Sequence, residues 1–410
     1  MSKRKMKDSG VEWLGEIPAE WDLVPARNLF SEVKDKNIDG KVTRQFSFRY
    51  GKIVDKDKSG RSDVTTDETI TAYRIVTPDT IMINGLNLNY DFISQRVAIV
   101  EERGIITSAY LALCPNKKLI EPAFAVYLFK GYDSKQVFHG HGSGIRKTLN
   151  YSDFKEIKTV CPDLSTQRKI AAYLDVRCAK IDAMIGDVKK AIEEYKAWKA
   201  SVIFEAVTGK CKIENGECKI GGWAMRESGV EWIGMIPEGW RVNRVKRIVR
   251  VENGSDPLTE GSIPVYGSGE SSFKTCGEFK EGPTVLLGRK GATLHIPHYI
   301  EGRYWNVDTA FDVRMKGNDN LRWFYYLAIS FDYKAYISKT TLPSMTQSNY
   351  NNMHVPHPPV TEQCAIAAFL DKKCAAIDRV SAEKESLISD LEAYKKSLIF
   401  ECVTGKMEVA

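Results

Sequence analysis

Residues 41–61 carry seven cations, Lys41, Arg44, Arg49, Lys52, Lys56, Lys58 and Arg61, interleaved with Phe46, Phe48 and Tyr50. Lysines spaced this way can pin phosphates, and an arginine fork matches the O6 and N7 acceptors of guanine. Asn84, Asn87 and Asn89 follow beside Tyr90 and offer the amides that pair with adenine. Similar mixtures recur. Residues 143–150 include Arg146 and Lys147, residues 288–291 set Arg289 and Lys290 on a glycine turn, and residues 339–349 include Lys339, Thr340, Gln347 and Asn349. Arg241, Arg244, Lys246, Arg247 and Arg250 make a basic face over Val242, Val245 and Ile248. Each set alone also suits a solvated loop or a turn. Together they point to a polyanionic partner.

Covalent chemistry finds little apparatus. The stretch Gly-His-Gly-Ser-Gly-Ile-Arg-Lys-Thr at 140–148 has the composition of a phosphate loop but lacks the Gly-Lys adjacency. No Gly-x-Gly-x-x-Gly links a strand to a helix as dinucleotide binding requires. Pro358 and Pro359 lie between His357 and Val360, outside the Asn/Asp-Pro-Pro-aromatic pattern that holds an extruded base. Glu278, Asp308 and Asp312 read as surface acids, and the six histidines form no metal or triad spacing. Cys211 and Cys218 bracket a polar turn without the second pair a zinc site needs. The expectation is a chain without catalytic residues, metal or cofactor of its own.

The elements that position these residues come from a chain of 410 residues, long enough for two or three domains. It is 43% hydrophobic and 27% charged, with a net charge of +6, which suits a folded, mildly basic protein. The charged start, MSKRKMKDSG, and the lack of an 18-residue apolar run predict a cytoplasmic protein with no membrane partner. Nine cysteines fit that placement; Cys178 and Cys374 fall inside helical patterns, and Cys114 and Cys161 read as small buried hydrophobes.

The chain is duplicated. MKDSGVEWLGEIPAEW (6–21) returns as MRESGVEWIGMIPEGW (225–240), an offset of 219, and STQRKIAAYLDVRCAKID (165–182) returns as TEQCAIAAFLDKKCAAID (361–378), an offset of 196. The second match continues to WKASVIFEAVTGK (198–210) and YKKSLIFECVTGK (394–406). The middles, 22–160 and 241–357, differ, as expected of one scaffold carrying two modules with unlike targets.

In the shared ends, Ile170, Leu174, Ile181, Ile185, Val188 and Ile192 keep mostly three- and four-residue spacing, and Ile366, Leu370, Ile377, Ile388, Leu391 and Leu398 do so in the second copy. The spacing predicts two amphipathic helices of about 40 residues, roughly 60 Å each. Ser165 and Thr361 are candidate N-caps, with Gln167 and Gln363 close behind; Gly209 and Gly405 suit the left-handed residue that ends a helix. Helices this long with one apolar stripe need a partner, and each copy supplies one: an antiparallel coiled coil with an internal pseudo-two-fold. The middles read as mixed α/β, with strands in 74–84, 95–102, 108–115 and 283–291 and helices at 122–131 and 321–331. The fold class is α+β.

This combination resembles the specificity subunit of type I restriction–modification enzymes, over essentially the whole chain. The resemblance rests on Pro-x-x-Trp at 18–21 and 237–240, and on Leu-Ser-Thr-Gln (164–167) and Val-Thr-Glu-Gln (360–363) opening the long helices. It rests further on the Ser-(Val/Leu)-Ile-Phe-Glu-x-Val-Thr-Gly-Lys endings and on Leu-Leu-Gly-Arg-Lys-Gly at 286–291. It implies a target recognition domain at 1–164, a spacer helix at 165–209, a linker at 210–224, a second target recognition domain at 225–360 and a second spacer helix at 361–406. It further implies that each domain reads one half of a bipartite site in double-stranded DNA, with the helices fixing the gap. Two modification subunits would carry S-adenosylmethionine, and restriction subunits would carry ATP and Mg. The residues also admit a specificity component of a type IIB-like fused nuclease–methyltransferase, a coiled-coil scaffold that binds no DNA, and a catalytic methyltransferase.

Overall fold

The computed structural model describes residues 4–56, 67–92, 95–145, 147–338 and 343–409. The chain divides into two compact units. Unit 1 is Met1–Val188 with Ser386–Ala410, and unit 2 is Lys189–Glu385. The long helices expected at 165–209 and 361–406 run Leu164–Val207 and Val360–Val403, 44 residues each. At 1.5 Å per residue each is about 66 Å long. Both pass from one unit to the other, so each unit contains a segment of each helix.

The two middles, unlike in sequence, build the same sheet. In unit 1, β1 (Phe30–Glu32), β2 (Ile81–Ile83), β3 (Val97–Ile99) and β4 (Leu111–Pro115) pair antiparallel in the order β1-β4-β2-β3. In unit 2, β5 (Val249–Asn253), β6 (Thr284–Gly288), β7 (His298–Ile300) and β8 (Ala310–Met315) repeat that order as β5-β8-β6-β7. A helix follows β4 and β8, one of the two inner strands of each sheet: α1 (Pro122–Ser134) and α3 (Leu321–Ile329). We label the long helices α2 (Leu164–Val207) and α4 (Val360–Val403). Unit 2 adds a second four-stranded sheet that includes one parallel pair, Ile263–Tyr266 with Arg303–Asn306. The expected run 74–84 is two strands, because Thr77 to Thr80 make a turn with Asp79 at φ +70°.

The apolar stripe faces inward in both units. In unit 1, Ile170, Leu174, Ile181 and Ile185 of α2 share a core with Leu398, Cys402 and Val403 of α4, and Ile388 and Leu391 pack at its edge. In unit 2, Ile203, Ala206 and Val207 of α2 share a core with Ile366, Leu370 and Cys374 of α4. Ile192 and Ile377 are buried as well, and Val188 is half-buried. The segments run antiparallel. In unit 2, Tyr195 meets Lys384 while Lys199, further along α2, meets Asp378, which lies earlier on α4. In unit 1, Lys395 meets Asp182 in the same sense as Cys402 neighbours Cys178.

The helix ends explain the repeated motifs. Gly209 and Gly405 adopt φ +73° and +74°, as expected, and close α2 and α4. A Cβ on Gly209 would stand 2.3 Å from Pro237 Cδ and 3.1 Å from the Trp240 ring; on Gly405 it would meet Pro18 and Trp21 in the same way. Each copy's Pro-x-x-Trp thus packs on the glycine that ends the other copy's helix. The helix starts differ from expectation. Asp163, not Ser165, caps α2, accepting from Thr166 N at 3.1 Å, and α4 begins directly after Pro359, whose carbonyl accepts from Gln363 N at 3.0 Å. Gln167 and Gln363 are fully buried clamps. Gln167 accepts from Glu121 N at 2.7 Å and donates to the carbonyls of Leu119 and Pro162. Gln363 accepts from Asn320 N at 2.7 Å and donates to Asp319 and the Pro358 carbonyl. Each ties the start of a long helix to the start of α1 or α3.

Cys178 and Cys374 are buried, but Cys114 is the one exposed residue of β4, and Cys161 is half-buried, so neither is the buried hydrophobe expected. Cys211 and Cys218 are bonded to each other across the hairpin Cys211–Glu214/Glu217–Ile220. No helix is long and apolar enough to cross a membrane among the described residues.

Candidate nucleic-acid interface

In unit 1 the asparagine cluster and the 143–150 segment, 56 residues apart, are stitched into one surface. Leu88 N donates to the Lys147 carbonyl at 3.0 Å, Leu149 N to the Gly85 carbonyl at 2.9 Å, and Asn89 Nδ2 to the Ile145 carbonyl at 3.1 Å. The buried guanidinium of Arg96 supports this loop from behind, donating to the carbonyls of Asn84 (2.8 Å), Leu86 (2.9 Å) and Asp91. Asp133 accepts from Arg96 N at 3.3 Å, and burial pushes its carboxyl up to about 6. His139 holds the Asp91 carbonyl and stacks on Phe92.

The three asparagines separate in role. Asn84 accepts from Leu86 N and Asn89 ties the two loops, so both are structural. Asn87 sits exposed at φ +53°, and among the described residues its amide has no partner. Tyr90, Ile145 and Lys147 stand exposed beside it. Arg146 lies outside the described residues.

Within the cation–aromatic stretch, residues 46–55 form a hairpin, Phe46–Arg49 with Lys52–Asp55. Alternation buries Phe46 and Phe48 in a small core, so of the three aromatics Tyr50 alone faces outward, at 86% exposure. Arg49 and Lys52 oppose each other at the tip. Arg44 is held by Asp55 at 2.9 Å and by Glu102, and Lys56 lies over the Tyr73 ring. Arg44 is therefore a strut of the hairpin. Lys58 and Arg61 lie outside the described residues. Lys34, Lys36 and Arg103, which nothing in the sequence singled out as a group, line an open depression of about 700 Å³ with Asp35, Ile38, Ile75 and Thr77. The Lys-Asp-Lys spacing at 34–36 was the available signal; nothing local marks Arg103.

Unit 2 joins its two clusters by the same device. The Arg289 carbonyl accepts from Met345 N at 2.9 Å, the Pro343 carbonyl accepts from Gly291 N at 3.1 Å, and Ser268 holds the Lys290 carbonyl at 2.6 Å. Arg289 lies over Phe311 and donates to the Asp308 carbonyl, while Lys290 pairs loosely with Asp308 at 3.6 Å. Exposed Gln347 and half-buried Asn349 are both engaged by backbone, donating to the carbonyls of Val251 and Tyr336. Lys339 and Thr340 lie outside the described residues. Arg241, Arg244, Lys246, Arg247 and Arg250 are all exposed, over half-buried Val242 and buried Val245 and Ile248.

Asp312 is not a surface acid. It is fully buried and accepts from Lys280 Nζ at 2.8 Å and from the Tyr304 hydroxyl at 3.1 Å, while the same ammonium reaches Asn306. Glu278 accepts from the backbone of Leu258 and Thr259. Among the described residues no group of three His, Cys, Asp or Glu side chains is placed to hold a metal. What the described surfaces offer is exposed cations, amides and aromatics on loops fixed by buried polar anchors.

Residues 237–387 match the family model described as type I restriction modification DNA specificity domain. Over 97% of its length the chain is 25% identical to a putative type I restriction enzyme MjaX specificity subunit of Methanocaldococcus jannaschii, 96% of which is covered. It is 22% identical to the type I restriction enzyme MjaVIII specificity subunit of the same organism, over 96% of this chain and 94% of that one. Among solved structures, a chain from a study of assembly and conformational transition of the type I R-M system superposes with a TM-score of 0.71 at 15% identity, covering 95% of this chain and 99% of that one. The HsdS subunit from Thermoanaerobacter tengcongensis gives 0.53 at 15% identity, covering 98% and 100%. The structural likenesses bear on the fold.

Proposed function

We propose how this chain, a member of the type I restriction–modification specificity-subunit family, does its work: each unit reads one half-site of an asymmetric, bipartite target in double-stranded DNA. The observation that carries the reading is the repeated design of the two surfaces. In each unit, two distant segments of unlike sequence are hydrogen-bonded into one exposed surface on the same sheet frame. A shared frame with different surface residues suits two targets of different sequence.

In this reading Asn87, Tyr90 and Lys147 meet DNA in unit 1, with Lys34, Lys36, Arg103, Arg49 and Lys52 on phosphates or base edges. Arg289 and Lys290 lead in unit 2. The paired helices fix the number of unread base pairs between the half-sites. The chain acts in the cytoplasm and is not itself catalytic; it assembles with two modification subunits that hold S-adenosylmethionine and with restriction subunits that use ATP and Mg.

The test is adenine-methylation mapping of DNA from cells expressing this chain with its neighbouring modification subunit. The expected result is a bipartite motif with unlike halves and a fixed gap, and a longer gap with unchanged halves when one heptad is inserted into both helices. A palindromic motif, or a gap indifferent to the insertion, overturns the reading. Steeply salt-dependent binding to duplex DNA by the assembled complex is expected alongside.

A further inference from the structure

A cavity of about 170 Å³ opens in unit 2 where Trp240 packs on the end of α2, and Trp223, Trp240, Pro237, Glu238 and Glu362 are among its walls. Its chemistry is aromatic and acidic. The Trp240 indole donates to Glu362 Oε2 at 2.9 Å, which orients that carboxylate at the wall. Trp223 Nε1 is buried there and has no hydrogen-bond partner among the described residues. Lys212 also lines the cavity, but its ammonium is paired to Glu214 at 2.9 Å. Arg226 donates to the carbonyls of Glu227 and Trp240. Among the described residues no cation stands over the Trp240 ring.

The duplication supplies a filled version of the same place. Trp21 packs on Gly405 in unit 1 as Trp240 packs on Gly209 in unit 2. Over Trp21 lies the guanidinium of Arg4, 5.2 Å from the ring centroid and 2.6 Å from Glu20. At the repeat offset of 219, the residue in the place of Arg4 is Trp223. Unit 1 thus closes its tryptophan with its own arginine and a neighbouring acid. Unit 2 keeps the tryptophan, adds a second one, places acids at Glu238 and Glu362, and has given up the arginine.

We infer that this cavity is a docking pocket for an arginine side chain presented by a partner protein. The guanidinium would lie on the indole faces, where the ring quadrupole favours a cation. Its fork would meet the carboxylates of Glu238 and Glu362. The occupant is a basic segment of another protein, because the pocket's walls and its counterpart in unit 1 select for a flat cation. The assignment stands independently of the DNA-reading proposal.

The test labels the full chain with 5-fluorotryptophan and follows its fluorine resonances, with Trp21, Trp223 and Trp240 assigned by single Trp→Phe variants. The probes are the peptide acetyl-Gly-Arg-Gly-amide and its citrulline counterpart, which keeps the shape and removes the charge. Saturable shifts of the Trp223 and Trp240 resonances are expected with the arginine peptide, and at least tenfold weaker binding with citrulline. Glu238→Gln combined with Glu362→Gln, where the new amide oxygen still accepts from the Trp240 indole, should weaken binding at least tenfold without unfolding the chain. In Arg4→Ala the Trp21 resonance should begin to respond as well. Absence of a saturable shift, equal response to the two peptides, full binding by the double variant, or a silent Trp21 in Arg4→Ala each overturns the assignment.

Discussion

Lys199 Nζ lies 2.7 Å from both carboxylate oxygens of Asp378, and the residues one repeat away, Lys395 and Asp182, make the same contact at 2.6 Å. Both aspartates are 59% exposed, so each pair contributes only about 0.2–1 kcal/mol. Their value lies in register, since each pair opposes one position of α2 to one of α4. Lys199→Glu should lower the urea midpoint by bringing like charges together, and adding Asp378→Lys should recover most of the loss. A double-mutant cycle showing no coupling would remove the pair from the account of helix register.

Gly209→Ala combines a left-handed backbone with a Cβ 2.3 Å from Pro237 Cδ. The backbone term alone costs about 1–2 kcal/mol, and the displaced Pro237 and Trp240 add to it. Gly186 is the control: it lies within α2, where a Cβ meets nothing. Gly186→Ala should stabilise by about 1 kcal/mol. Urea unfolding of the two variants should therefore move in opposite directions.

Asp133 gives a pH signature. Its folded carboxyl titrates at about 6 against an ordinary 3.8, because burial disfavours the charge more than Arg96 favours it. A raised carboxylate pKa means that the folded state binds the proton more tightly, so this group's contribution is complete below pH 4. It is lost as the pH rises from about 4 to 6. Asp133→Asn, whose amide oxygen still accepts from Arg96 N, should flatten that slope and stabilise the chain at pH 7.5 by about 1–3 kcal/mol. An unchanged pH–stability profile would contradict this.

Lys280→Met leaves Asp312 buried with the Tyr304 hydroxyl and with the half-exposed Arg314 guanidinium 4.0 Å away, but without its ammonium. Breaking one side of a buried pair costs about 3–5 kcal/mol, and replacing both sides by apolar groups often costs far less. Lys280→Met should thus lower the thermal midpoint strongly, and adding Asp312→Leu should recover part of it. A single variant as stable as the parent would show that the pair is dispensable.

The helices and the duplication were legible because they are periodic and local: Ile170 to Ile192 and Ile366 to Leu398 announce a buried stripe by spacing alone. The burial of individual polar residues was not. Arg96 is one cation among many in the sequence, and Asp312 one acid among many. Only the sheet order decides that Arg96 turns toward the carbonyls behind the asparagine loop and that Asp312 faces Lys280. Phe46 and Phe48 stand among cations in the sequence, and strand alternation turned both inward, where Phe46 still lies under the Arg44 guanidinium, 5.5 Å from its ring centroid. Of the candidate contacts, the pairing of residues 84–90 with 143–150 was beyond reach, since backbone hydrogen bonds between loops leave no mark on composition. Gln167 and Gln363 stood in the repeated motif but looked like helix-start residues, not buried clamps.

The reciprocal packing of tryptophan motif and helix end has a consequence for synthesis. Ribosomes deliver the chain from its N-terminal side, and early domains commonly close before later ones exist. Unit 1 cannot do so, because its core includes Leu398, Ile399, Cys402 and Val403 and its Trp21 waits for Gly405. The first-made stretch of chain is thus among the last to be locked. A frameshift or early stop shortly before Leu398 would leave its damage at the front of the protein, some 200 residues and more upstream of the lesion, while unit 2 retained every residue of its own.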